Sequence, residues 1–301
     1  MGGFFGHAAS GIMFMALSVW WNLQRVFNST YPRIGGGGRK GNNRYSKLHL
    51  LLRRLPVEGI LVLVLALSGL IGEQVYKTWR WRLFNKDGVF IYSSIWQHCT
   101  MWAGFAMYGA AKIAVGTWFK GQERWANVFL AFAFFIECTL FSFHLHGRSA
   151  LNIRMHVIQV IMVFLCLLFT LGEIWLPKDD VLPWLRIWAT FIQGSWMLQI
   201  GCTLYHPLSD YSWDEDDHLN VKFFSMIFAW HCMLAIIVII VQIIAMKITL
   251  RFSGMSYSFP YSGLHNEEEE HSLTTVQTKV RFNDDDELQD YRDDVSRSEE
   301  E

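Results

Sequence analysis

From Phe4 onward, apolar stretches of about twenty residues alternate with short charged connections, and that length crosses roughly 30 Å of hydrocarbon at 1.5 Å per residue. The pattern predicts seven helices, over about 6–27, 57–75, 91–116, 125–146, 151–175, 183–206 and 219–250. The longest connection, about 30 residues including the run Gly35 to Gly38, is too short for a soluble domain. The expected fold class is therefore all-α: a polytopic membrane protein with a seven-transmembrane helix bundle over 1–252 and a tail over 253–301. The first stretch begins close to Met1 but lacks a basic start and a small-residue cleavage site, so it reads as a retained helix rather than a signal peptide.

Charge divides the chain at the same place. The net −1 conceals a tail with 14 Asp/Glu against 4 Lys/Arg and a remainder with 22 basic against 13 acidic residues. Such a tail cannot build a core and is expected to be disordered. The first connection carries Arg33, Arg39, Lys40, Arg44, Lys47, Arg53 and Arg54 and no acid, whereas the sixth carries Asp210, Asp214, Glu215, Asp216 and Asp217. Positive residues stay inside, which puts the first connection and the tail in the cytosol and the N-terminus outside or in a lumen. Lys77, Arg80, Arg82 and Lys86, and the sequon Asn28-Ser29-Thr30, oppose that orientation. The expected partners are membrane lipids and, for the tail, cytosolic proteins, not nucleic acid. Cys99, Cys138, Cys166, Cys202 and Cys232 all lie in apolar stretches without a CxxC pair, so no disulfide framework is indicated.

Seven of the eleven histidines change the picture. His7, His98, His144, His146, His156, His206 and His231 all map to one leaflet once consecutive helices alternate direction, and Glu73 joins them. The fifth span repeats polar residues every three or four positions (Asn152, His156, Gln159, Cys166, Thr170, Glu173), and the sixth does so with Ser195, Gln199, Cys202 and His206. The third offers Ser94, His98, Tyr108 and Lys112, and the fourth sets Glu137 seven residues before His144. These stripes are expected to face the bundle interior, because ionisable groups at membrane depth are costly unless paired, hydrated or metal-bound. Two features have blander readings. Trp20, Trp21, Trp79, Trp81, Trp118, Trp125, Trp175 and Trp184 fit an interfacial belt, and Glu58 with Arg53 and Arg54 fits an ion pair at the cytosolic edge.

The opening Gly6-His7-x-x-x-Gly11, the pair Trp20-Trp21, Glu137 followed by His144-Leu145-His146-Gly147-Arg148, and His156 opening the next span resemble the transmembrane protein 45 family, also called domain of unknown function 716. The resemblance spans roughly residues 1 to 252 and implies a seven-helix protein of internal or plasma membranes without an established activity. The fold is also loosely similar to seven-helix metal hydrolases such as the alkaline ceramidases and adiponectin-type receptors. Those carry a His-x-x-x-His pair in the last helix, where this chain has His231 alone between Ile227 and Ala235.

The leading expectation is a metal site near the outer leaflet with His98, His144, His156, His206, His231 and Glu137 as ligands and His7 and His146 in second rank. Imidazole with carboxylate suits zinc or another transition metal; haem, which needs two His on facing helices at one depth, is the lesser alternative. A hydrolase acting on a lipid-like substrate would use Glu137 or Glu73 as the base beside metal-bound water. The other two expectations are a channel or transporter along the stripes of spans three, five and six, and a non-catalytic scaffold whose tail recruits partners.

Overall fold

A computed structural model describes residues 3–30, 56–75, 79–145, 147–207 and 212–252. His146, the stretch 31–55 with Arg53 and Arg54, and the tail from 253 lie outside the described residues.

Among the described residues the chain forms seven helices: α1 (Phe4–Thr30), α2 (Val57–Val75), α3 (Ser93–Thr117), α4 (Glu123–Ser142), α5 (Ala150–Trp175), α6 (Leu182–Tyr205) and α7 (His218–Phe252). Five of them, α1, α2, α4, α5 and α7, are long and apolar enough to cross a membrane. The chain is thus an all-helical, multi-pass membrane protein. α3 and α6 fall short of that apolarity because they carry inward-facing polar groups, Tyr108 on α3 and Arg186, Thr190 and Gln193 on α6, all buried.

Neighbours in sequence pack side by side from α2 through α6, and α1 closes the bundle by lying along α6. That last contact is a backbone contact. A Cβ built on Gly11 would stand 2.6 Å from the Gly194 carbonyl oxygen, and one on Gly194 would stand 2.6 Å from that of Gly11. Only hydrogen fits at either position, the small-residue crossing on which helices in lipid rely for close approach. About two turns from the crossing the pair is tied by Ser18, which donates to the Ile187 carbonyl at 2.7 Å. α2 and α3 cross in the same manner at Gly59 and Gly109. α7 leans on α1, α5 and α6 and is the least covered helix, with 11% of its most apolar window buried. Its outer face of Leu234, Ile237, Val241, Ile244 and Ile248 is the lipid-facing surface this composition requires.

Two turns matter for the site. α4 ends at Ser142 and Gly147 takes a positive φ of 75°, so His144 leaves the helix and its ring is no longer bound to the α4 face. At the opposite end, Asp179 accepts from the amides of Val181 and Leu182 and Pro183 occupies the first turn of α6, which starts the helix just below Arg186.

Candidate functional site

Four of the predicted histidines converge. His7 from α1, His98 from α3, His144 after α4 and His156 from α5 line a single cavity of about 50 Å³ with Glu73 and Glu137. Their rings form a chain: His98 to His144 at 5.3 Å between centroids, His144 to His156 at 6.3 Å, and His156 to His7 at 6.0 Å. Phe14, Met101, Phe105 and Met197 floor the cavity, so the imidazoles stand on an apolar base.

The orientation of each ring is set by an oxygen behind it. His7 Nδ1 donates to the Gly3 carbonyl at 3.1 Å, His156 Nδ1 to that of Asn152 at 2.9 Å, and His144 Nδ1 to Gln97 Oε1 at 2.8 Å. A backbone carbonyl can only accept, so on neutral His7 and His156 the proton sits on Nδ1 and Nε2 keeps a lone pair, and His144 takes the same tautomer where Gln97 turns its oxygen to it. His98 Nδ1 stands 3.4 Å from Glu73 Oε1, in ion-pair contact but not aligned as a hydrogen bond. His156 Nε2 is buried without a partner. Arg148 braces the turn by donating to the His144 carbonyl and to Asn152 Oδ1. His7 reaches the cavity because α6 presents Gly201 beneath it: a Cβ there would meet His7 Cβ at 2.9 Å.

Glu137 is buried and both its oxygens accept from Gln193 Nε2 at 2.9 Å, so one edge of the carboxylate is engaged by α6. Among the described residues, no three His, Cys, Asp or Glu side chains stand as placed where they could hold one metal ion.

Two expected ligands stand apart. His231 accepts or donates at Ser195 Oγ through Nδ1 at 2.9 Å and packs edge-on against Trp196, so its polarity serves the α6–α7 contact. His206 is the C-cap of α6 in the left-handed region, φ 43°, and lines no part of the cavity. The α6 stripe also needs correction. Ser195, Gln199, Cys202 and His206 are half-buried, whereas the buried polar residues are Thr203 and, in one run, Arg186, Thr190 and Gln193. The spacing of four and three within that run is as regular as that of the stripe expected. Gln97, which orients His144, sits beside His98 and carried no signal of its own.

Trp21, expected in an interfacial belt, is buried in the bundle at the other end; Glu58, in the first turn of α2, is buried at that same end, and its expected partners Arg53 and Arg54 lie outside the described residues. Glu58 accepts from Tyr108 at 2.6 Å, Trp21 at 2.8 Å and Trp20 at 3.3 Å, with Lys112 Nζ 3.6 Å away. Trp79, Trp118 and Trp175 are exposed as a belt requires.

Fold and site together define a helical multi-pass membrane protein with a buried cavity of imidazoles and carboxylates at one end. Residues 123–244 match a family described as "Family of unknown function (DUF716)". That segment supplies Glu137, His144 and His156; His7, Glu73 and His98 precede it. The chain is 28% identical over 149 residues to Transmembrane epididymal protein 1 of Homo sapiens, covering 48% of this chain and 54% of that one. It is 27% identical over 149 residues to Transmembrane epididymal protein 1A of Mus musculus, covering 48% of each. The chain spans about half the length of the curated relatives it matches.

Proposed function

We propose that this chain is a seven-span protein of the transmembrane protein 45 kind whose histidine cavity binds a transition-metal ion, zinc by its ligand set. The observation that carries the reading is the shared arrangement of three rings. His7, His144 and His156 are each held at Nδ1 by an oxygen and line one buried space, which leaves Nε2 as the nitrogen for a ligand. A hydrogen bond on the far nitrogen is the support that metal-ligating histidines ordinarily have, since it fixes tautomer and ring direction. Two imidazoles bound to one tetrahedral zinc at 2.0–2.1 Å place their ring centroids about 5 Å apart. The His7–His156 and His144–His156 separations, 6.0 and 6.3 Å, lie within about an ångström of that, a change side-chain rotation supplies, and His98 stands 5.3 Å from His144. Glu73 then completes or neutralises the centre, and Glu137 stays with Gln193.

The cavity holds an ion and a water or two, not a porphyrin or an acyl chain, so lipid hydrolysis is not part of this proposal. A second reading, a polar path through the bundle, has its own support. Gln159, Cys166, Thr170, Thr190 and Gln193 are all fully buried between the cavity and the Arg186–Glu173 pair, and both polar atoms of Gln159 are without a partner. We place the N-terminus and the cavity on the outer or luminal side and the tail in the cytosol, on the charge of the connections.

Elemental analysis of purified full-length protein, beside the visible spectrum of its cobalt-loaded form, tests the metal reading. One bound ion per chain is expected, lost when His144 and His156 are both replaced by Ala. Stoichiometric metal in that double variant, or none in a folded wild-type protein offered zinc, refutes the assignment; solute flux in proteoliposomes with no bound metal would select the path. Epitope access in sealed vesicles checks orientation, and a protected tail reverses it.

A further inference from the structure

The end of the bundle opposite the histidines holds a larger cavity, about 610 Å³, walled by the ends of α1, α3 and α5 and the starts of α4 and α6. Lys112, Arg186 and Arg25 reach it, together with the amides of Gln24, Asn28 and Asn127.

Its distinguishing property is a buried guanidinium donor left without a partner. Each carboxylate near it already has a donor. Glu173 accepts from Arg186 Nε at 2.6 Å, Asp180 from Arg25 Nη2 at 3.0 Å, and Glu58 from one phenol and two indoles. The cations are not saturated. A guanidinium has five N–H groups, and Arg186, 9% exposed, keeps Nη1 buried with no partner. It cannot swing out to water, because its plane lies 4.2 Å over the Trp21 ring and its Nε is held by Glu173. Lys112 Nζ, half-buried, makes only the 3.6 Å contact to Glu58. A buried donor without a partner is costly, and an acceptor-rich ligand removes that cost.

We infer that this cavity binds a phosphate-bearing ligand, its oxygens taken by Arg186 Nη1 and Lys112 Nζ, with Arg25 at the rim. A guanidinium and an ammonium that approach from different helices suit a tetrahedral oxyanion better than a planar carboxylate, which one Arg fork satisfies alone. The level is right as well: Trp184 stands beside the cavity at a helix start, where phospholipid phosphates lie. Basic pockets between helices are a recurring site for anionic headgroups. The ligand is the headgroup of an anionic phospholipid or a soluble phosphate compound; both present the same oxygens. This inference is independent of the metal reading.

Full-length protein in phosphatidylcholine nanodiscs, titrated with phosphatidic acid and separately with inorganic phosphate, provides the test. Native mass spectrometry reads lipid retention and thermal unfolding reads phosphate. Wild-type protein is expected to bind one equivalent of at least one probe, and Lys112→Gln to weaken it about tenfold, the loss of one charge-assisted hydrogen bond. Lys112 is half-exposed, so that variant keeps its fold even where Arg186→Gln does not. Retained phosphatidic acid that millimolar phosphate cannot displace identifies a lipid site; binding of phosphate alone identifies a soluble ligand. Absence of both, or binding in Lys112→Gln within about twofold of wild type, overturns the inference.

Discussion

The two ends of this bundle are built from the same helices with opposite chemistry. At one end, α1, α3, α4 and α5 bring imidazoles to a cavity of about 50 Å³, and three of them, His7, His144 and His156, are held at Nδ1 by an oxygen. At the other, carboxylates accept from indole, phenol and guanidinium donors, and Arg186 Nη1 is left without a partner beside a cavity of about 610 Å³. The first arrangement suits a cation and the second an anion. What separates them is less the count of charges than which partner in each pair has bonding capacity left over. A charge total over either end would miss this, since acids and bases are mixed at both.

The comparison is broken most severely at the donor end. Arg186→Ala leaves Glu173 buried and uncompensated, and a loss of about 3–5 kcal/mol is expected in chemical unfolding of the detergent-solubilised protein. Arg186→Ala with Glu173→Ala together should recover part of that loss; no recovery would mean the two are not coupled. The crossing that holds both ends in register comes next. Gly11→Ala puts a methyl group against the Gly194 carbonyl, and a cost of about 1–3 kcal/mol is expected in the same assay. Wild-type stability in Gly11→Ala would show that the helices part without penalty.

The acceptor end is sharpened through a residue that touches no ligand. Gln97→Leu removes the oxygen behind His144, and zinc affinity in a competition titration should fall about 10- to 100-fold while phosphate binding is unchanged. Equal zinc affinity would remove Gln97 from the site. The smallest effect is expected for truncation after residue 255, which should move the unfolding midpoint by less than about 0.5 kcal/mol equivalent. Loss of the monodisperse species on truncation would give the tail a structural role.

Much of the fold was legible because lipid imposes a length and an apolar requirement on each span; the helix limits fall within a few residues of those the pattern predicts. The convergence of His7, His98, His144 and His156 was legible for a related reason, that alternating helix direction assigns a depth to each residue. Depth is not azimuth. His206 and His231 have the right depth, yet His206 is spent on a helix cap and His231 on Ser195 of the neighbouring helix. α6 touches α1, α5 and α7, so it presents polar residues on several sides and no single stripe marks its interior. Arg186, Thr190 and Gln193 could be found only once its neighbours were known. Trp21 shows the same limit: one residue after Trp20 it is turned about 100° around the axis and enters the core.

The closure of α1 onto α6 has a consequence for how the protein is made. The Ser18 hydroxyl and the Ile187 carbonyl that receives its proton are 169 residues apart. At about 5–20 residues per second, the ribosome needs roughly 8–34 s to deliver the second group after the first. During that interval a newly inserted α1 carries His7 and Ser18 with no α6 to receive them, and Asn22 waits longer still for Ile239 and Gln242 of α7. α1 is therefore made well before the helix it packs against most closely, and its polar face stays unpartnered until α6 and α7 follow.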